Sequence, residues 1–267
     1  MYLNPNWRIL TVGDGDLSFS NALSTAIKPA KLVASTYDDA ATLSKKYTDN
    51  ALASLKANNI TVLNSFDVTN PNVWQRLNGE LFDVVIFQFP LIPAFVGEAA
   101  FRESTASINT LNRALLHQFI KYATEFALDK NGPMLCYITS KDVKPYREWN
   151  IEGSLNNTLC SRYLGQMPFD IRLFPGYKIR NVDRDKHVKD TSGISYVFSP
   201  KNVPELANKL TMPSYLNADS CPLCRVGPFH GEEDKQKHLL AKKHQQMLAF
   251  ETDWQAWLAQ FNHQEHS

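Results

Sequence analysis

The chain has 267 residues, with 28 Lys and Arg against 27 Asp and Glu, giving a formal net charge of +1. Its length accommodates one large domain with an appendage, and 43% hydrophobic with 21% charged residues is the composition of a soluble globular protein. The charge balance excludes a global electrostatic pull towards nucleic acid, which leaves only local patches for such contacts, and no apolar run approaches membrane-spanning length.

The first ten residues, MYLNPNWRIL, have no basic region followed by a long apolar stretch. A cytoplasmic address is therefore expected, nucleolar if the source is eukaryotic. Ile9, Leu10, Thr11 and Val12 form a short β-prone run without polar alternation, as in a strand buried on both faces of a parallel sheet. Gly13 and Gly15 then permit a sharp turn and a close approach of backbone to ligand. A helix beginning near Leu17 would aim its free N–H groups back over the glycines. On its own this loop also fits a strand-turn-helix without a ligand, because Ser18 stands where a dinucleotide fingerprint has its third glycine.

Further strands are predicted over 31–38, 60–67, 82–90 and 134–139, with helices over 40–57 and 104–129, the last ended by Asn131-Gly132-Pro133. Strands alternating with helices at this rhythm predict an α/β doubly wound, mostly parallel sheet. Two final strands, 170–174 and 194–199, follow without a full helix between them, joined by a long loop. The predicted organisation is one domain over 1–200, a linker over 201–220, a metal finger over 221–246, and an amphipathic helix and tail over 247–267.

In open α/β sheets ligands lie beyond the carboxyl ends of the strands. Asp14 and Asp16 follow the first strand, Asp38 and Asp39 the second, Asp67 the third, and Gln88 and Pro90 the fourth. Asp38 lies about 20 residues past the glycines, where a carboxylate accepts ribose hydroxyls. Asp67 could accept from an adenine amino group. Each aspartate alone also fits a helix cap or a turn, so their shared location carries the reading. An acidic loop suits a sulfonium cation better than a pyrophosphate.

The stretches ILTVGDGDLSFS, STYDD, QFP, ITSKDVKPYREWNI and LFPGYKIR, in this order from Arg8 to Phe198, resemble the Rossmann-like family of large-subunit rRNA uridine-N3 methyltransferases. The resemblance implies a seven-stranded sheet with a terminal antiparallel pair. It also implies S-adenosylmethionine at Gly13, Asp14, Gly15 and Asp16, extending to Ser18, Phe19 and Ser20, with Asp38, Asp67 and Gln88 as further contacts. Lys141, Pro145, Tyr146, Trp149, Asn150, Gly176, Tyr177 and Arg180 fall on its other recurrent positions. Where the family commonly has Asn-Phe-Pro-His, this chain has Gln88-Phe89-Pro90-Leu91.

The reaction implied is direct displacement of a methyl group by a nucleobase nitrogen, which requires alignment and, for uracil N3, removal of a proton. Gln88, Pro90, Lys141 and Asp142 are the candidate catalytic residues. Phe89, Tyr146 and Trp149 are candidates for stacking on an acceptor base, Trp149 being equally suited to the core. The altered QFPL motif keeps a second reading open, a non-catalytic RNA-binding protein on a methyltransferase scaffold; a nicotinamide oxidoreductase is a third. Six Lys or Arg between Arg172 and Lys189, against Asp183 and Asp185 and interleaved with Tyr177 and His187, make a local basic patch, which reads as a phosphate contact or a solvated face.

Cys136 and Cys160 stand alone, but Cys221 and Cys224 are followed after 13 residues by His238 and His244. Two thiolates and two imidazoles at this spacing suit tetrahedral Zn²⁺, with His230 a less well placed competitor. The HLLAKKH segment resembles matrin-type zinc fingers, some of which bind double-stranded RNA, although Ala241 stands where glycine is usual. Lys235, Lys237, Lys242 and Lys243 could then reach the phosphates of a structured RNA, ribosomal as the family resemblance implies, or the finger could be a structural clasp. Leu248, Phe250, Trp254, Trp257, Leu258 and Phe261 give the last helix an apolar face for the main domain or a partner. Oligomeric state is open at this level.

Overall fold

The computed structural model of the protein describes residues 1–93, 106–180 and 193–265. Five parallel strands, β1 (Arg8–Val12), β2 (Lys31–Ser35), β3 (Thr61–Leu63), β4 (Val84–Gln88) and β5 (Leu135–Lys141), are joined by β6 (Arg162–Phe169) and β7 (Gly193–Ser199) in the order β3-β2-β1-β4-β5-β7-β6. β7 runs antiparallel to both β5 and β6. This is the expected α/β sheet, mostly parallel with a terminal antiparallel pair. All five residues of β4 are buried, as a continuous apolar run in the middle of a two-sided sheet requires.

Strand alternation divides the core in two. Leu10, Val12, Val85, Phe87, Cys136 and Ile138 pack with Leu116, Phe119 and Ile120 of α4 (Ile108–Tyr122). On the other face Ile9, Val84, Ile86, Leu135 and Tyr137 meet Phe19 and Leu23 of α1 (Ser18–Ala26).

Several predicted boundaries move. The helix expected over 40–57 is two, α2 (Ala40–Lys46) and α3 (Leu52–Ala57), because Tyr47 leaves helical geometry and buries its ring with Leu17, Leu43 and Leu55. α4 starts at Ile108, where the Ser107 hydroxyl accepts from Thr110 N–H at 3.1 Å, and continues as a π-helical turn over Ala123–Ala127; the expected start at Ser104 lies outside the described residues. The strand expected over 170–174 is absent. Asp170 instead caps a 3-10 turn at Ile171–Leu173, and the strand is β6, eight residues earlier in onset. Gly165 and Pro168 obscured it: a bulge lies between Tyr163 and Gly165, and Pro168 is tolerated because β6 is an edge strand.

The segment expected as a linker packs back on the sheet. Gln166 and Thr211 exchange backbone hydrogen bonds of 2.9 and 2.8 Å, and Leu206 is buried. After a short helix at Ile151–Ser154, α5, the last two helices are α6 (Glu232–Leu240) and α7 (Lys242–Glu265), separated by Ala241 in extended geometry. One helix, α7, therefore carries both His244 and the apolar face that begins at Met247. It docks on α4 through Trp254, Leu258 and Ala114 and through a 2.7 Å ion pair from fully buried Arg113 to Glu251, and on α5 through the Trp254 indole N–H donating to Ser154 O at 3.2 Å. No helix among the described residues is long and apolar enough to cross a membrane.

Candidate functional site

The carboxyl ends of β1 to β5 open onto one cavity of about 700 Å³, within the usual range for small-molecule sites. Gly13 begins its floor. Its φ of +61° is a left-handed geometry costly for other residues, and a Cβ there would stand 2.4 Å from Phe87 Cε2. Both the turn and the packing under it thus need glycine.

The loop aspartates are held by the protein itself. Asp14 Oδ2 accepts from Ser20 N–H at 2.7 Å and from the Ser20 hydroxyl at 2.6 Å, which ties the loop to the first turn of α1. Burial, followed by the neighbouring Asp16 charge, pushes the Asp14 carboxyl up to about 7 against those hydrogen bonds. Asp16 accepts from Ser18 N–H at 3.0 Å and pairs with Arg180 at 2.6 Å. Asp38 pairs with Lys46 at 3.0 Å, and Asp67 accepts from Thr69 N–H and hydroxyl at 2.9 and 2.7 Å. All four line the cavity, with Gly13, Gly15 and Lys46. Asp39 is a helix cap, accepting from Thr42 N–H at 2.7 Å.

Ser18, Phe19 and Ser20 lie behind this wall and do not line the cavity. Phe19 is fully buried against Phe174 and Tyr177, with ring centroids 5.2 and 5.1 Å away, because the first turn of α1 faces the core. Ser18 serves the opposite strut: its hydroxyl accepts from Lys178 N–H at 3.0 Å.

At the other end of the cavity stand Gln88, Phe89, Pro90, Leu91, Lys141 and Tyr146. Phe89 has φ +47°, a left-handed non-glycine residue at the turn out of β4, with its N–H held by Thr139 O at 2.8 Å. Gln88 Oε1 is buried with no hydrogen-bond partner among the described residues, which leaves it free to accept from water or from a ligand donor. Lys141 places its ammonium 5.6 Å from the Tyr146 ring centre, and partial burial lowers its pKa. Asp142 parts from it. Its carboxylate is taken by Arg147 at 2.6 Å and faces Arg225 at 3.4 Å, away from the cavity. Trp149 is 2% exposed and belongs to the core.

Sequence reasoning missed Lys46, whose only signal was a lysine eight residues after Asp38, and Trp257, which lines the cavity from α7. The described half of the basic patch is largely paired, with Arg172 on Asp170, Lys178 on Asp49, and Arg180 on Asp16 and Asp49. Asp183, Asp185, His187 and Lys189 lie outside the described residues.

A second site forms where the chain turns after the last strand. Single ligand atoms from Cys221, Cys224, His238 and His244 all lie within 4.8 Å of one another. The His244 Nδ1 is 3.6 Å from Cys221 Sγ and 3.5 Å from Cys224 Sγ. A tetrahedral ion with metal–sulfur bonds of about 2.3 Å and metal–nitrogen bonds of about 2.0 Å has sulfur-to-nitrogen edges near 3.5 Å. His238 Nε2 is buried without a hydrogen-bond partner, as a ligand atom would be. His238 arrives from α6 and His244 from α7, and His230 is not in the cluster.

The sequence pattern of the BMT5-like family, described as rRNA (uridine-N3-)-methyltransferase BTM5-like, matches residues 10–181. The chain is 31% identical over 185 residues to heavy metal-associated isoprenylated plant protein 41 of Arabidopsis thaliana, across 68% of this chain and 34% of that protein. It thus spans about a third of that relative's length. An uncharacterized protein of the same plant is 28% identical over 174 residues, 64% of this chain and 79% of its own length. Among solved structures, the tRNA methyltransferase TrmK of B. subtilis is similar with a TM-score of 0.43 at 10% identity, over 95% of this chain and 94% of that one.

Proposed function

The chain belongs to the BMT5-like rRNA (uridine-N3-)-methyltransferase family, and from that premise we propose that it is an S-adenosylmethionine-dependent RNA methyltransferase acting on uridine N3 of ribosomal RNA. The observation that carries the reading is the single cavity into which the glycine loop, Asp38, Asp67 and Gln88 converge. The donor set fits the cofactor. Four carboxylates suit a ligand with an ammonium, a sulfonium, ribose hydroxyls and an adenine amino group, and buried Asp14 in particular gains from a nearby cation. Gly13 to Asp16 would hold the amino-acid part, Asp38 the ribose, and Asp67 the adenine. Bound there, S-adenosylmethionine supplies an electrophilic methyl group.

The acceptor end performs the rest. The imide edge of uracil presents one N–H between two carbonyls, and an amide complements it. Gln88 accepts from N3–H through the oxygen that has no partner among the described residues, and Pro90 fixes the turn that aims it. As the N3 proton leaves to water, the Lys141 ammonium stabilises the charge that spreads onto the uracil oxygens. Tyr146, beside Lys141, offers the aromatic surface for the base. An amide therefore remains at the position where the family commonly has Asn, which favours an active enzyme over a binding scaffold.

We assign Zn²⁺ to Cys221, Cys224, His238 and His244, on the donor set and the edge lengths. Its structural role follows from the small apolar cluster of this module, which is Cys221, Cys224 and Met247 with Leu223, Phe229 and Phe250, while α6 buries no residue at all. Metal binding then contributes folding energy. Lys235, Lys237, Lys242 and Lys243 of the finger helices would contact RNA phosphates.

The test has two arms. Calorimetry with S-adenosylmethionine should show one site per chain, lost in Asp38→Ala, and absence of binding in the wild type would refute the assignment. Elemental analysis of chelator-free protein should find one zinc per chain; a metal-free, folded protein would refute the finger.

A further inference from the structure

Arg225 follows the metal-cluster residue Cys224 directly. The turn that carries it is closed by Cys221 N–H donating to Val226 O at 2.7 Å, and Arg225 itself sits at φ +55°. Its side chain, 9% exposed, reaches out of the finger and into the methyltransferase domain. There its Nε lies 2.8 Å from Glu152 Oε1, and its Nη2 donates to Glu152 Oε2 at 2.8 Å and to the Tyr196 hydroxyl at 3.1 Å. Its Nη1 stands 3.4 Å from Asp142 Oδ1, and the Tyr215 ring centre is 5.4 Å from its guanidinium. Glu152 is fully buried at the side chain.

Asp142 connects this junction to the cavity. It follows Lys141 at the end of β5 and takes Arg147 Nε and Nη2 at 2.6 and 2.8 Å. Lys141 and Tyr146, which line the acceptor end, thus flank a loop pinned by the Asp142 carboxylate, and Arg225 approaches that carboxylate from the finger. The same C-terminal module places Trp257 on the cavity wall. Trp254 and Phe261, at i−3 and i+4, stack parallel to it with centroids 5.1 and 4.9 Å away, so the ring is fixed in place.

We propose that Arg225 is a positioning residue of the methyl-transfer site: the metal-bound turn of the finger delivers its guanidinium to Glu152 and Asp142 and thereby fixes the loop between Lys141, at the end of β5, and Tyr146. The proposal rests on the methyltransferase reading. It makes the finger part of the active site's framework, in addition to any hold on RNA. Loss of the metal releases the turn, withdraws Arg225, and leaves Glu152 buried without its cation, a costly state.

The experiment compares wild type, Arg225→Met and the double variant Arg225→Met/Glu152→Met. The single variant strands the buried carboxylate and should lose stability. The double variant replaces the buried pair by packed apolar groups, which commonly restores stability, yet leaves Asp142 without Arg225. In the double variant we expect one bound metal, a wild-type melting temperature, unchanged S-adenosylmethionine affinity, a kcat lowered about tenfold, and about tenfold faster amide exchange over residues 141–149. Wild-type exchange and wild-type kcat in a stable double variant would overturn the proposal. Amide exchange reads the loop without reference to catalysis. A wild type that neither binds the cofactor nor methylates RNA would overturn the methyltransferase reading, and the positioning role with it, whatever the exchange shows.

Discussion

The two ends of the cavity differ in how their polar groups are satisfied. At the end assigned to the cofactor each aspartate already has protein partners: Ser20 for Asp14, Arg180 for Asp16, Lys46 for Asp38 and Thr69 for Asp67. At the acceptor end the Gln88 oxygen has none among the described residues, and the Lys141 ammonium lies over an aromatic face. The first end is organised before ligand arrives, and the second is completed by it. Preorganised dipoles lower the cost of binding, whereas unpartnered buried groups select the ligand that satisfies them.

Four changes sharpen or break that contrast. The largest effect is expected from Gly13→Ala, which combines left-handed strain with a clash against Phe87. It should lower stability by about 2–4 kcal/mol and weaken the cofactor with it, as read by thermal melts with and without ligand. Gln88→Ala should lower kcat by about 100-fold with cofactor affinity unchanged. A parallel loss of cofactor affinity would merge the two ends and break the comparison.

The third effect is a pH dependence. The Asp14 carboxyl is raised from an ordinary 3.8 to about 7, so its contribution to folding is fully present below about pH 4 and is lost as pH rises through 7. A cationic ligand prefers the ionised form. Cofactor affinity should therefore rise by about tenfold between pH 6 and 8, with a proton released on binding, measurable as a buffer-dependent heat. An affinity that falls over this range would contradict the cation assignment. The smallest effect is expected from Asp39→Ala, which removes the cap of α2. It should lower the melting temperature slightly and leave cofactor affinity intact, in contrast to its neighbour Asp38.

Much of this was readable from local pattern. Strand-end aspartates, the glycine turn and the Cys-Cys-His-His spacing are short-range signals, and the fold places them as topology requires. What escaped depends on long-range pairing. Arg180 meets Asp16 across 164 residues and Arg225 meets Asp142 across 83; neither separation leaves a trace in periodicity. Asp142 and Lys141 are adjacent in sequence but face opposite ways, one towards the finger and one towards the cavity. β6 was hidden by residues that disfavour strands, which its bulge at Gly165 and its place at the sheet edge accommodate.

Methyl transfer to uridine N3 is read most directly from the RNA product. Deproteinised large-subunit rRNA incubated with the protein and methyl-labelled S-adenosylmethionine, then digested to nucleosides, should yield labelled 3-methyluridine from the wild type and none from Asp38→Ala. Label on another nucleoside, or no label with a cofactor-binding protein, would contradict it.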